Sequence, residues 1–483
     1  MRRSEIPLAA VVTLLASIAV SGCQGRLAIP QSPLLKYVER KSGLIAVTET
    51  DGNVYVMDQG GGSAVALTSD GRINAPGDTD TSGPFAYHQL PVWSPDGSHL
   101  ASLYVSGKDQ KVEKISIVVL PAATGEAVTV FSSTNQAPSL LGWSPDSTRL
   151  VFLATSPSGS SYGFYLVRAT GGEPLLLDAG VPYGWAWSPR GQELVIHAGS
   201  VAGGLASDRL AFLDVENGVL EEGLGLIAGI FDTPAWSHDG RRVLVASWVD
   251  GKNRLLVTDR KRSESAVLST VEGPLAFAFA PGGERAAYIV GANEGEATTS
   301  RLYVVGVPAR LEAEKEAPLA PGSASAPSAP STPAGKLLSG EDVVAAFFWS
   351  PDGSRIAYFV PHLVTLQPPQ NQAGGAASGA DQSKTDAAPA QPQQAVALTL
   401  KVADTRKGQS REVSTFLPTP SFMSVIQNFA QFGQSLQIWS PDSRNIVYAG
   451  LDQQGPAIMV ALAAESIAPR RIAGGLDASW SRK

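Results

Sequence analysis

The residues best suited to chemistry are few and scattered. Gly159-Ser160-Ser161-Tyr162-Gly163 matches the Gly-x-Ser-x-Gly pattern, in which a nucleophilic serine sits on a sharp strand-to-helix turn. Here Phe164-Tyr165-Leu166-Val167 continues as strand, so the match reads as a turn between two strands. The five histidines, His88, His99, His197, His238 and His362, stand at no metal-ligating spacing. Asp78-Thr79-Asp80-Thr81-Ser82-Gly83 opens like a calcium loop, but its twelfth position, where a bidentate acid belongs, is Gln89. No catalytic residue, metal site or cofactor is expected.

One residue does have the setting its chemistry requires. Cys23 is the only cysteine of 483 residues. It follows Arg2-Arg3 and an apolar run from Ile6 to Val20, the charged and hydrophobic parts of an export signal. Val20-Ser21-Gly22-Cys23 resembles a bacterial lipobox, whose small residues admit the signal peptidase and whose thiol takes a diacylglyceryl group. The expectation is a signal peptide over 1–22, a lipidated Cys23 with a tether over 23–42, and an extracytoplasmic chain held on a bacterial membrane by its acyl chains. Gln24 is no inner-membrane retention signal, so outer-membrane sorting is the default in a host with two membranes. With no second cysteine there is no disulfide, and packing must supply the stability.

Composition narrows the rest. Hydrophobic residues make up 43%, enough for a large core, and charged residues 17%. The net charge of −7 and the lack of any Lys/Arg run argue against nucleic acid as a partner. Gly 49 and Pro 34 suit a chain with many tight turns.

Those turns repeat. Trp93-Ser94-Pro95-Asp96-Gly97 returns at Trp143, Trp187, Trp236, Trp349 and Trp439, in degenerate form at Phe279, and as a closing Trp480-Ser481. Seven of the nine tryptophans hold its first position. Proline presets φ, Asp or Ser bonds nearby amides, and Gly accepts positive φ, which together make a tight hairpin. An alternating apolar strand follows each turn, as in His99-Leu100-Ala101-Ser102-Leu103-Tyr104-Val105, and then a third and a short fourth. The expected unit is a four-stranded antiparallel blade and the expected fold an all-β propeller, with each motif aromatic packed between neighbouring blades.

Positions 93, 143, 187, 236, 279, 349, 439 and 480 are separated by 50, 44, 49, 43, 70, 90 and 41 residues. A blade needs about 40–45 residues, so the two long intervals hold insertions. Their composition places these at about 309–336 and 366–395 and predicts disorder. Residues 43–69 read as a blade lacking its first strand, and Leu476 to Trp480 as a first strand lacking its blade. Pairing them gives eight blades over 43–482, or seven if one irregular unit is incomplete, and leaves no free edge at the seam. Ser421 to Phe432 has helical spacing and reads as a short amphipathic helix, packed on a propeller face or docking a partner.

The turn and the Ile/Leu-Ala/Val-Tyr/Phe strand after it resemble the WD40-like (PD40) repeats of TolB and of prolyl oligopeptidase-type peptidases, without the other domains of either. The resemblance covers roughly 43 to 482 and implies the fold far more than a function. The expected function is a non-catalytic cell-envelope lipoprotein whose propeller binds or scaffolds a protein or peptide. The alternative is a propeller hydrolase or lyase acting on an envelope saccharide or peptide, its residues gathered from several blades.

Overall fold

The computed structural model describes residues 42–483 apart from 74–81, 124, 157–160, 200–207, 217, 219, 222–223, 262, 272, 274, 295–296, 314–332 and 367–392. The export segment, Cys23, Ser160 and Asp78–Asp80 lie outside the described residues.

Five of the seven motif turns are fastened by the same side-chain bonds. The Ser94 hydroxyl donates to Asp96 at 2.6 Å and accepts from the His99 amide at 3.0 Å, while Asp96 also accepts from the Ser98 amide. The pattern returns at Ser144–Asp146, Ser237–Asp239, Ser350–Asp352 and Ser440–Asp442. The fifth residue has φ between 60° and 76° in all seven copies, five times as glycine and twice as Ser147 and Ser443. These turns join the first and second strands of antiparallel meanders.

Among the described residues, hydrogen bonding groups the strands into seven sheets. The second sheet runs Pro84–Trp93, His99–Lys108, Lys111–Pro121, Val128–Ser133 in chain order, and the third Pro138–Trp143, Arg149–Thr155, Tyr162–Arg168, Leu175–Gly180. The fourth and sixth have the same order, beginning at Tyr183–Trp187 and Leu275–Phe279. The first sheet takes three strands, Ile45–Thr48, Val54–Met57 and Val65–Ala66, from one end of the described chain, and Asp477–Trp480 from the other. Ile45 pairs with Trp480 and Thr48 with Asp477, the expected closure. The last sheet has seven strands because two meanders are joined where Leu417 and Pro418 pair with Leu451 and Gly450.

Every sheet touches the next, and the cycle closes. The Trp93 indole donates to Ser479 O, Trp143 to Val92 O and Trp439 to Phe348 O, each acceptor lying one residue before the motif aromatic of the preceding unit. Arg149, Arg285 and Arg355 reach across to the carbonyls of Gly191, Gly353 and Ser443 in the following turn. Phe212 on Trp236 and the Tyr288–Ser269 bond join the fourth, fifth and sixth sheets. The core lies between sheets, built from second and third strands buried on both sides, such as Leu150 to Ala154 and Ile356 to Phe359.

Two expectations change in detail. The insertion placed at 309–336 begins and ends in strand: Glu312–Ala313 adds a fifth strand to the fifth sheet, and Lys336–Leu337 is the fourth strand of the sixth. The insertion placed at 366–395 is carried on a long hairpin in which Leu366 still pairs with Gln393. Composition marks such segments but not the few residues at their ends that find an open strand edge.

Candidate functional site

The segment with helical spacing forms two short helices, α1 (Pro420–Gln427) and α2 (Phe429–Ser435). Thr419 caps α1 by accepting from the Phe422 amide at 3.2 Å, and Pro420 fills the first helical position, where no amide is needed. Phe422, Val425, Ile426, Phe429 and Phe432 are buried in the largest apolar cluster. One side of the segment is thus packed into the core while Gln427, Asn428 and Gly433 stay exposed, as a helix resting on the strands would leave them. α2 packs against the first strands of the third, fourth, sixth and seventh sheets. The Gln431 side chain accepts from Trp185 N at 3.1 Å and donates to Trp185 O at 3.2 Å. Gln434 donates to Pro234 O at 3.0 Å. A carboxamide that satisfies both backbone groups of one residue does what a neighbouring strand would do. The α1–α2 segment is thus a stopper that bridges the first strands of four sheets.

The motif aromatics stand at the ends of first strands, where neighbouring sheets meet. Trp93, Trp143, Trp439 and Trp480 are buried, Trp236 nearly so, and Trp187, Phe279 and Trp349 half-buried. Arg149, Arg285 and Arg355 lie over Trp187, Trp349 and Trp439 at 5.5–5.8 Å. The buried rings among them are packed between neighbouring sheets.

Three buried titratable sites had no sequence signal, because their partners are distant in the chain. Asp477, in the closing strand, accepts from the Leu90 amide at 2.9 Å, and its Oδ1 is enclosed without a partner. Burial pushes its carboxyl up to about 6 against the Leu90 bond. His197 is fully buried beside Phe231, its Nδ1 3.1 Å from Asp232 O, and burial pushes the imidazole down to about 4. The Asp232 carboxyl is itself raised well above the usual range by burial. His88 meets Asp70 at 3.1 Å and Tyr104 ring to ring, but its Nδ1 is enclosed without a partner, out of reach of a substrate. Of the remaining histidines, His99 rests on Trp143 and His362 bonds Thr399 on the long hairpin. The described part of the Gly-x-Ser-x-Gly match, Ser161, Tyr162 and Gly163, leads into the strand Tyr162–Arg168 and not into a helix, with Ser161 O accepting from the Ser156 amide.

Concave surface lies between the second and third sheets. A groove of about 640 Å³ there is lined by His99, Arg149 and Arg168 facing Glu126, Asp146 and Glu216. A second hollow of about 390 Å³ follows along the strand Val128–Ser133, with Phe131, Tyr165 and Glu173 in its wall. Phe131 and Tyr165 each pack on the buried Phe152 behind that wall, and Gln136 bonds the Tyr165 hydroxyl. Val128–Ser133 is the outermost strand of its sheet, paired only with Lys111–Pro121 among the described residues. Among the described residues no strand pairs with its other edge.

No family profile matches the sequence, and no curated protein matches it. Solved structures match it distantly. The oligogalacturonate lyase of Vibrio parahaemolyticus aligns at 14% identity over 89% of this chain and 99% of its own, with a TM-score of 0.44. The β-propeller domain of the Trilobed protease of Pyrococcus furiosus aligns at 10% identity over 80% and 95%, with a TM-score of 0.42. TolB of Acinetobacter baumannii aligns at 13% identity over 86% and 92%, with a TM-score of 0.34. At these scores the matches carry no argument, and the all-β reading rests on the chain's own strand pairing.

Proposed function

We propose that the chain is an eight-bladed β-propeller, lipid-anchored at Cys23 outside the cytoplasm, that acts as a non-catalytic protein- or peptide-binding module. The count of eight takes the seven-stranded sheet as two blades. The second of these has its first strand reduced to the Trp439–Ile446 bridge and the adjoining α1–α2 segment.

The observation that carries the binding reading is the groove along Val128–Ser133. An extended peptide placed there pairs with the free strand edge, sets side chains against Phe131 and Tyr165, and meets opposite charges at Arg168 and Glu216. The stopper supports a rim site over an axial one, since the chain's own side chains already occupy the inner strand edge at Trp185.

Crosslinking in the native envelope tests the reading. A partner captured from wild type should be reduced at least tenfold by Tyr165→Ala and by Arg168→Glu, with the melting temperature changed little by the second. Capture of no envelope component above background would overturn it. The anchor has its own test: Cys23→Ala should release the protein from membranes, and unchanged retention would rule out acylation as the tether.

A further inference from the structure

The stopper is fastened at both ends to the strand that closes the ring. At its start, the Thr419 hydroxyl caps α1 and donates to Leu476 O at 2.6 Å. At its end, Trp480 N donates to Gln437 O at 2.7 Å, and the Arg482 guanidinium donates to Gln434 O in the last turn of α2, where a cation suits the helix end. Between those points the closing strand Asp477–Trp480 pairs with Ile45–Thr48 and is tied to the second sheet through Ser479 Oγ to Pro91 O, Trp93 to Ser479 O and Leu90 to Asp477. The two helices are eight and seven residues long, and α2 lacks a side-chain cap. Helices this short do not persist without tertiary support.

We propose that the closing strand and the helical stopper form one latch, so that opening of the seam and withdrawal of the stopper from the first strands it bridges are a single event. The physical reason is shared support. Freeing Leu476–Arg482 removes the hydrogen bonds at both ends of the stopper, leaving α2 held from across the ring by Gln431 and Gln434 and by its apolar side chains. The device makes access to the first-strand edges conditional on the seam.

Native-state amide hydrogen exchange of the full chain tests this. Ser479→Ala removes the bond to Pro91 O without touching the stopper. The expected result is about tenfold faster exchange at seam amides of Ile45–Thr48 and, by the same factor, at Trp185 N and Leu436 N. Amides of the Arg285–Glu294 strand should keep their wild-type rates. Acceleration confined to the seam overturns the proposal, as does equal acceleration everywhere, which would make seam opening no different from global unfolding. Gln431→Ala is the reciprocal variant: it should speed the seam amides as well as Trp185 N, and a change at Trp185 N alone counts against the latch.

Discussion

The Ser147 hydroxyl accepts a hydrogen bond from the Asp96 amide at 3.1 Å, so one motif turn is fastened to the next by the residue that replaces glycine. The same exchange links Ser443 to the Asp352 amide at 3.0 Å. Both serines hold positive φ, +62° and +60°, which a side chain adopts only at a cost. The hydroxyl offsets that cost by reaching an amide that glycine would leave to water.

Two substitutions separate these effects. Ser147→Ala keeps the strained backbone and loses the bond, and should lower stability by about 1 kcal/mol. Ser147→Gly loses the same bond but relieves a strain of about 1 kcal/mol, so its net change should be near zero. Urea denaturation of both variants decides; equal losses would mean that the backbone at Ser147 is not strained.

The motif tryptophans are not equivalent. Trp143 donates to Val92 O at 3.0 Å, whereas Trp187 Nε1 is enclosed without a partner. Trp143→Phe should therefore cost about 1 kcal/mol more than Trp187→Phe, since the first loses a buried hydrogen bond and the second removes an unpaired donor. Chemical denaturation of the two variants side by side gives the difference.

At the seam, the Asp477 carboxyl is raised from 3.8 to about 6 by burial. The unfolded chain ionises first as pH rises, so the folded state is penalised increasingly from about pH 4 to 6 and by a constant amount above. A shift of that size corresponds to about 3 kcal/mol. Asp477→Asn should gain stability over wild type across that window and hold the gain at pH 7. A difference between the two proteins that does not change with pH would show that the carboxyl titrates normally.

His197 acts in the opposite direction. Its imidazole is lowered from 6.5 to about 4, so on acidification the unfolded chain takes up the proton first. Stability contributed by the neutral ring should fall from about pH 6.5 to 4, by about 3 kcal/mol in all. His197→Gln should flatten that part of the profile, and thermal melts at half-unit pH steps would show whether it does.

Much of the architecture was legible because it is local. The Ser-Pro-Asp-Gly turns depend on residues two to five apart, and a period of two or of forty-odd residues survives in sequence whatever the rest of the molecule does. Even the closure could be read, since an incomplete unit at one end and a lone first strand at the other can satisfy their backbone only by pairing. The helix over Ser421–Phe432 was legible as a helix, but not as a stopper, because its spacing gives the apolar face and not what covers it.

The sequence by itself determined the meander units, their turns and the strands that seal them, all set by backbone preferences and apolar alternation within about fifty residues. Only the tertiary structure decided where Gln431 meets Trp185, 246 residues away, which tryptophans find an acceptor, and which carboxyl is stranded at the seam. Those contacts depend on the relative placement of whole sheets, and no spacing along the chain encodes it.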